Sequence, residues 1–184
     1  MKKSILVSAV LAGLSFGLNA EQPSYNFVEA GIIKYDEDDS TKVLGNFEIN
    51  ENFYGVASYE LLTEEDPFGD IDVTTFTLGA GYKMPLNDNT SFFAQFEYVD
   101  YDFEDGSFST SEDGYNITIG ARSMVAKDTE LFAELANRNI DDFTYTTLGL
   151  GVRQGFTDNF GAYVRYDRND FGDDAYGVGV SLKF

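Results

Sequence analysis

Residues 115–125 read YNITIGARSMV, and the two interleaved faces of that stretch decide the fold. Tyr115, Ile117, Ile119, Ala121, Ser123 and Val125 fall on one side of an extended strand; Asn116, Thr118, Gly120, Arg122 and Met124 fall on the other. Successive side chains of a strand point to opposite faces, so this alternation describes a strand between two unlike surroundings. The pattern recurs in Phe92, Ala94, Phe96 and Tyr98 against Phe93, Gln95 and Glu97. It recurs again in Leu148, Leu150 and Val152 against Thr147, Gly149, Gly151 and Arg153. One face suits lipid and the other is small or polar, the pattern of a barrel wall in a membrane. After residue 20 no run of 18 apolar residues occurs, which excludes a membrane-spanning helix there.

Working outward from residues 115–125, the alternation predicts an all-β chain folded as a transmembrane antiparallel up-and-down β-barrel. Ten strands are expected, at 24–35, 41–50, 53–62, 72–84, 90–103, 113–125, 130–138, 142–153, 160–168 and 174–184, with eight strands as the alternative. Short turns at Asn50 to Asn52, Pro85 to Asn89, Ala126 to Asp128 and Gly155 to Asn159 alternate with longer acidic loops at 36–40, 63–71, 104–112, 139–141 and 169–173. Short periplasmic turns and longer outer loops are the habit of outer-membrane barrels, and an even strand count puts both termini in the periplasm. Phe53, Tyr82, Phe92, Phe160 and Phe184 near the turns, with Tyr59, Tyr98 and Tyr166 near the loops, supply interfacial aromatic girdles in a chain without Trp.

The ends agree with export. Lys2 and Lys3 precede the apolar run Ile5 to Leu14, and Ala20 offers a small residue for cleavage, so residues 1–20 read as a signal peptide and 21–184 as the barrel. At the other end Tyr176, Val178, Val180, Leu182 and Phe184 form an unbroken apolar stripe that finishes on the last residue. Such a final strand resembles the signal read by the outer-membrane assembly machinery.

Composition removes several function classes. Lys and Arg total 12 against 32 Asp and Glu, a net charge of -20, which excludes a nucleic-acid partner because counterion release from phosphates needs a basic surface. The chain has no Cys and no His, so thiol nucleophiles and the usual neutral-pH general base are missing, and no enzyme, cofactor or metal centre is expected.

If the apolar stripes face lipid, opposite parity puts Glu29, Glu48, Glu60, Glu97 and Glu134 in the lumen, together with Lys83, Arg122, Arg153, Arg165 and Lys183. Ten strands tilted about 40° enclose a backbone radius of roughly 10 Å, which such side chains largely fill. Charges in so confined a space persist when paired, so a salt-bridge plug is expected, with Arg122 and Glu97 in one paired network. A narrow channel gated by those pairs is the alternative. The remaining negative charge collects in the loops, as in Asp36 to Asp39, Glu64 to Asp66, Glu104, Asp105, Glu112 and Asp170 to Asp174. It reads as a solvated surface, or as a collector of divalent cations that bridge to lipopolysaccharide.

Tyr25-Asn26-Phe27-Val28-Glu29-Ala30-Gly31, Asn52-Phe53-Tyr54, Gly79-Ala80-Gly81-Tyr82, Gly120-Ala121-Arg122 and Gly151-Val152-Arg153 together carry a resemblance. They are similar to a family of small Gram-negative outer-membrane β-barrel proteins, some of them regulated by a diffusible signal factor. The resemblance covers nearly all of 21–184, implies an integral protein of the bacterial outer membrane, and carries no catalytic residues over. The expected function is therefore structural or surface-interacting, with a charge-plugged lumen. A passive porin-like channel is the alternative, and a soluble periplasmic barrel for an apolar ligand the third reading. Outer-membrane lipids, lipopolysaccharide and the assembly machinery are the expected partners.

Overall fold

The computed structural model describes residues 21–35, 38–64, 71–105, 108–141 and 143–184. The expected leader, with Ala20, and the loop acids Asp36, Glu37, Glu65, Asp66, Asp70 and Asp142 lie outside those residues. Ten antiparallel strands follow one another: β1 (Phe27–Lys34), β2 (Asp39–Glu48), β3 (Phe53–Glu64), β4 (Ile71–Asn87), β5 (Thr90–Asp105), β6 (Phe108–Ala126), β7 (Thr129–Ile140), β8 (Phe143–Gly155), β9 (Phe160–Asn169) and β10 (Asp174–Lys183). Each pairs with its neighbours in sequence, and β1 pairs with β10, so the sheet closes on itself and these strands leave no edge.

Period-2 patterning gives the wall two unlike faces along most of its height, while Thr90 on β5 and Ala121 and Ser123 on β6, at the turn end, are buried despite their outward parity. Ile117, Ile119, Phe96, Val178 and Val180 point outward and are exposed, while Asn116, Thr118, Glu97 and Ser181 point inward and are buried. An apolar exterior around a polar interior satisfies the backbone groups within the sheet, which is what a hydrocarbon surrounding demands. Phe53 and Tyr82 meet edge-on at 5.2 Å near the turn end, and Tyr166 and Tyr176 tilt together at 5.3 Å near the loop end.

Three boundaries differ from expectation. The stretch 104–112 is mostly ladder rather than loop, because β5 runs to Asp105 and β6 resumes at Phe108. Alternating acids do not prevent pairing when their neighbours, such as Phe103, continue the ladder. Likewise β4 runs through Pro85 to Asn87, with a register shift between Pro85 and Asn87 that accommodates the missing proline donor. The first strand starts at Phe27, and residues 21–26 are not strand. At the β9–β10 turn Gly172 has φ of 101°, and Asn169 Oδ1 accepts from the amides of Phe171, Gly172 and Asp173 at 3.0 Å.

Candidate functional site

The inward faces enclose a cavity of about 840 Å³, lined from Asp38, Glu112 and Asp173 at the loop end down to Tyr25, Tyr54 and Phe93 near the turn end. The floor is built by the chain before β1. Tyr25 is 1% exposed, lies 4.6 Å from the Tyr54 ring and 6.4 Å from Phe93, and shares a hydrogen bond with Ser91 Oγ at 3.0 Å. Its amide donates to Glu48 Oε1 at 3.2 Å, and Gln22 Nε2 donates to the Asn87 carbonyl. Residues 22–26 therefore form a strap across the turn end of the barrel, and the cavity is a cup that opens at the loop end. Glycines make room for the floor: the Tyr54 ring lies where a Gly81 Cβ would stand, and the Phe132 ring does the same at Gly151. Alternation places 24–26 in the first strand because Tyr25 and Phe27 share parity. The strap is a closure that alternation alone does not distinguish from a strand.

Around this floor lies a buried charge network. Arg122 contacts Glu130 in two-point fashion, Nε to Oε1 at 2.8 Å and Nη2 to Oε2 at 2.9 Å. Arg153 joins Glu130 Oε1 at 2.6 Å to Glu29 Oε1 at 2.6 Å. The Arg122 guanidinium covers the Tyr25 ring at 4.2 Å, and that of Arg153 covers Phe132 at 4.3 Å. Arg165 reaches across Gly149 to Glu134 at 2.9 Å and to Asp167 at 2.6 Å; a side chain on Gly149 would stand in that path. Lys83 pairs with Glu48 at 2.6 Å, and Lys42 with Glu60 at 3.2 Å. Planar, bidentate guanidinium contacts of this kind compensate buried carboxylates well, whereas removing one partner leaves an uncompensated charge.

Arg122 and Glu97 do not meet. Glu97 stands opposite Asn116 in the β5–β6 register, and Arg122 is six residues farther along β6, about 20 Å at 3.3 Å per residue. Glu97 instead accepts from Thr77 Oγ1 at 2.9 Å, Gln95 Nε2 at 2.9 Å and Asn116 Nδ2 at 2.7 Å. Lys183 shares the inward parity but sits at the turn-end rim, in no ion pair among the described residues. Glu130, Lys42, Arg138 and Asp167 belong to the lumen as well, beyond the ten charges that the sequence singles out. All four follow the parity rule. Glu130 is the second residue of β7, and all four fall within expected strands, so parity alone already assigns them to the lumen. The final-strand stripe Tyr176, Val178, Val180, Leu182 and Phe184 is exposed along the outer wall.

At the mouth, Tyr35 Oη donates to Glu60 Oε1 at 2.8 Å, and burial together with that carboxylate pushes the phenol pKa up, so Tyr35 remains a donor. Phe143 and Phe171 stack at 5.3 Å and stay exposed beside the opening. Among the described residues no three carboxylates gather as a metal ion would require.

A family model described as outer membrane protein beta-barrel domain matches residues 8–156. No curated protein matches by sequence. Among solved structures, the chain is similar to a KdgM porin in complex with disordered oligogalacturonate, at a TM-score of 0.57 and 13% identity, over 86% of this chain and 99% of that one. It is similar to a NanC porin in a rhombohedral crystal form, also at 0.57, with 11% identity over 86% of this chain and 99% of that one. At such identities the likeness is one of fold.

Proposed function

The chain belongs to the outer membrane protein beta-barrel domain family and is an integral protein of the bacterial outer membrane, and from that premise we propose that it is a closed-floored surface barrel rather than a conducting pore. The observation that carries this reading is the strap at residues 22–26, whose Tyr25 fills the periplasmic mouth. Beside it the Arg122–Glu130–Arg153–Glu29 chain cross-links β6, β7, β8 and β1, so floor and wall stiffen each other. No catalytic role is assigned: the chain has neither His nor Cys. A leader over residues 1–20, cut after Ala20, is the export route this reading needs. Insertion by the assembly machinery through the Tyr176 to Phe184 strand is the matching route into the membrane.

The outer face is where partners are met. Its excess of carboxylates steers cations toward the mouth and keeps anionic polymers away, with a range set by the Debye length of about 8 Å in physiological salt. Divalent cations held loosely between these acids and lipopolysaccharide phosphates fit that charge. A polyanion such as the oligogalacturonate of the KdgM complex fits it poorly.

The porin-like reading is favoured by the 840 Å³ cavity, which runs from the mouth down to the floor at Tyr25, Tyr54 and Phe93. Planar-bilayer recording of the refolded full chain separates the two. The closed-floored reading expects no steady conductance, and a stable open level of the wild-type protein would establish the channel instead.

A further inference from the structure

Inside the cup, below the acidic mouth of Asp38, Glu112 and Asp173, nearly every charged side chain has an opposite charge within 4 Å. Two do not among the described residues, Glu97 and Arg138, one acid and one base. The register sets them on either side of one residue: Glu97 on β5 stands opposite Asn116 on β6, which stands opposite Arg138 on β7. All three line the cavity. Two strand spacings separate the Cα atoms of Glu97 and Arg138 by about 10 Å, and among the described residues neither side chain is in an ion pair, with each other or with a third group.

The chemistry of each end is specific. Glu97 is 4% exposed, and its three donors, from Thr77, Gln95 and Asn116, are all neutral. Two carboxylate oxygens offer about four lone-pair sites, so one on Oε1 is still free. A buried carboxylate served only by neutral donors still favours a counter-charge. Asn116 is 6% exposed and its Oδ1 has no hydrogen-bond partner, a second acceptor in the same place. At the other end the Arg138 guanidinium lies 5.9 Å from the Tyr145 ring centroid, with its planar fork unclaimed by any carboxylate among the described residues. That fork matches a carboxylate in two-point geometry.

We propose that the cup binds a small zwitterion, its ammonium group at Glu97 and Asn116 and its carboxylate at Arg138; amino acids and short peptides are the chemical class. A lone cation would leave Arg138 unmatched and a lone anion would leave Glu97 unmatched, whereas one ligand bearing both charges satisfies both and adds no net charge. The volume suits this size of ligand, since pockets of about 300–1,000 Å³ hold small molecules, and the acidic mouth draws the ammonium end in while a neutral zwitterion escapes the repulsion met by polyanions. The inference rests on the outward-open cup for access, but the site itself is independent of whether the floor is closed.

Isothermal titration of the full chain, refolded in detergent, tests it with L-alanine and glycylglycine as zwitterions and with ethylamine and acetate as single-charge probes. The zwitterions bind, and each single-charge probe binds at least about tenfold more weakly. Glu97→Gln and Arg138→Gln each weaken zwitterion binding roughly tenfold to a hundredfold, the worth of one charge-assisted contact. Heat-dependent gel migration verifies that each variant is folded. Where a charge removal prevents folding, Arg138→Lys keeps the charge, loses the fork and still weakens the carboxylate end. Equal affinity for L-alanine and ethylamine, no binding of either zwitterion at millimolar concentration, or unchanged binding by Arg138→Gln overturns the proposal. So does strong Glu97–Arg138 coupling in unfolding with no response to zwitterion, which would mean that the two side chains close on each other. In micelles the loop-end mouth is open to solvent whether or not the floor is closed, so a conducting wild type overturns the closed floor without touching this site.

Discussion

Tyr25 lies beneath Arg122, the guanidinium carbon 4.2 Å from the ring centroid, while Arg122 Nη2 donates to the Ser24 carbonyl at 2.8 Å. One arginine thus holds both the ring and the backbone of the strap. Tyr25→Ala removes a fully buried ring and should cost about 3–5 kcal/mol of stability. It should also open the periplasmic mouth. Tyr25→Phe loses only the hydrogen bond to Ser91, about 1 kcal/mol, and should leave the floor shut. Thermal unfolding in detergent, paired with bilayer conductance, checks both; a Tyr25→Ala barrel that conducts no more than wild type rejects the strap as the seal.

Arg122 and Glu130 form a buried two-point pair, and Arg153 shares the same carboxylate oxygen. Arg122→Ala should therefore destabilise by about 3–5 kcal/mol, because Glu130 keeps its charge and loses part of its compensation. A double-mutant cycle between Arg122 and Glu130 should return a coupling of about 0.5–3 kcal/mol, while the cycle between Arg122 and Glu97 should be additive. Coupling in the second cycle and none in the first would contradict the register that separates Glu97 from Arg122.

Strand number and wall polarity were legible because the side-chain period in a sheet is 2, and a strand such as 115–125 displays it over many residues. The partners of the inward charges were not legible. Which row faces which depends on the stagger of the closed sheet, a property of the whole barrel that no single strand encodes. Arg122 and Glu97 have the correct parity and lie on adjacent strands, yet they differ in height. Glu130 carries the parity of Glu134, so its place in the lumen was legible, but its partners Arg122 and Arg153 were not. The strap was hidden for a similar reason: Tyr25 and Phe27 alternate with their neighbours as strand residues do, and only closure of the barrel shows that Tyr25 has somewhere to plug.

Topology can be read from single cysteines. Asp128 lies in the β6–β7 turn, at the same end of the barrel as the strap, whereas Asp141 follows β7 and Ser109 lies near the start of β6, both at the opposite end. A membrane-impermeant thiol reagent on intact cells should label Ser109→Cys and Asp141→Cys, and should label Asp128→Cys only after lysis. Labelling of Asp128→Cys on intact cells would reverse the barrel or remove a pair of strands.

The last strand should govern assembly. Val180 points outward in β10, between Ala30 on β1 and Ala162 on β9, so its surroundings are lipid and two small neighbours. Arg placed there, near the midplane of the apolar band, should cost about 2–4 kcal/mol, and Asp somewhat less. Phe184 is exposed just beyond the strand, its amide bonded to the Asn26 carbonyl at 3.3 Å, which ties the C-terminus to the strap. Deleting Phe184 therefore removes an interfacial aromatic and one bond at the seam where β1 and β10 close the barrel. Val180→Arg and the Phe184 deletion should each lower the amount of protein in the outer membrane and raise the periplasmic share. Ser181→Ala is the control on the same strand: Ser181 is buried on the inward face, so its loss leaves the lipid-facing stripe intact and the barrel should insert normally. Fractionation with heat-dependent gel migration reads all three, and normal membrane levels for Val180→Arg would remove β10 from the lipid-facing wall.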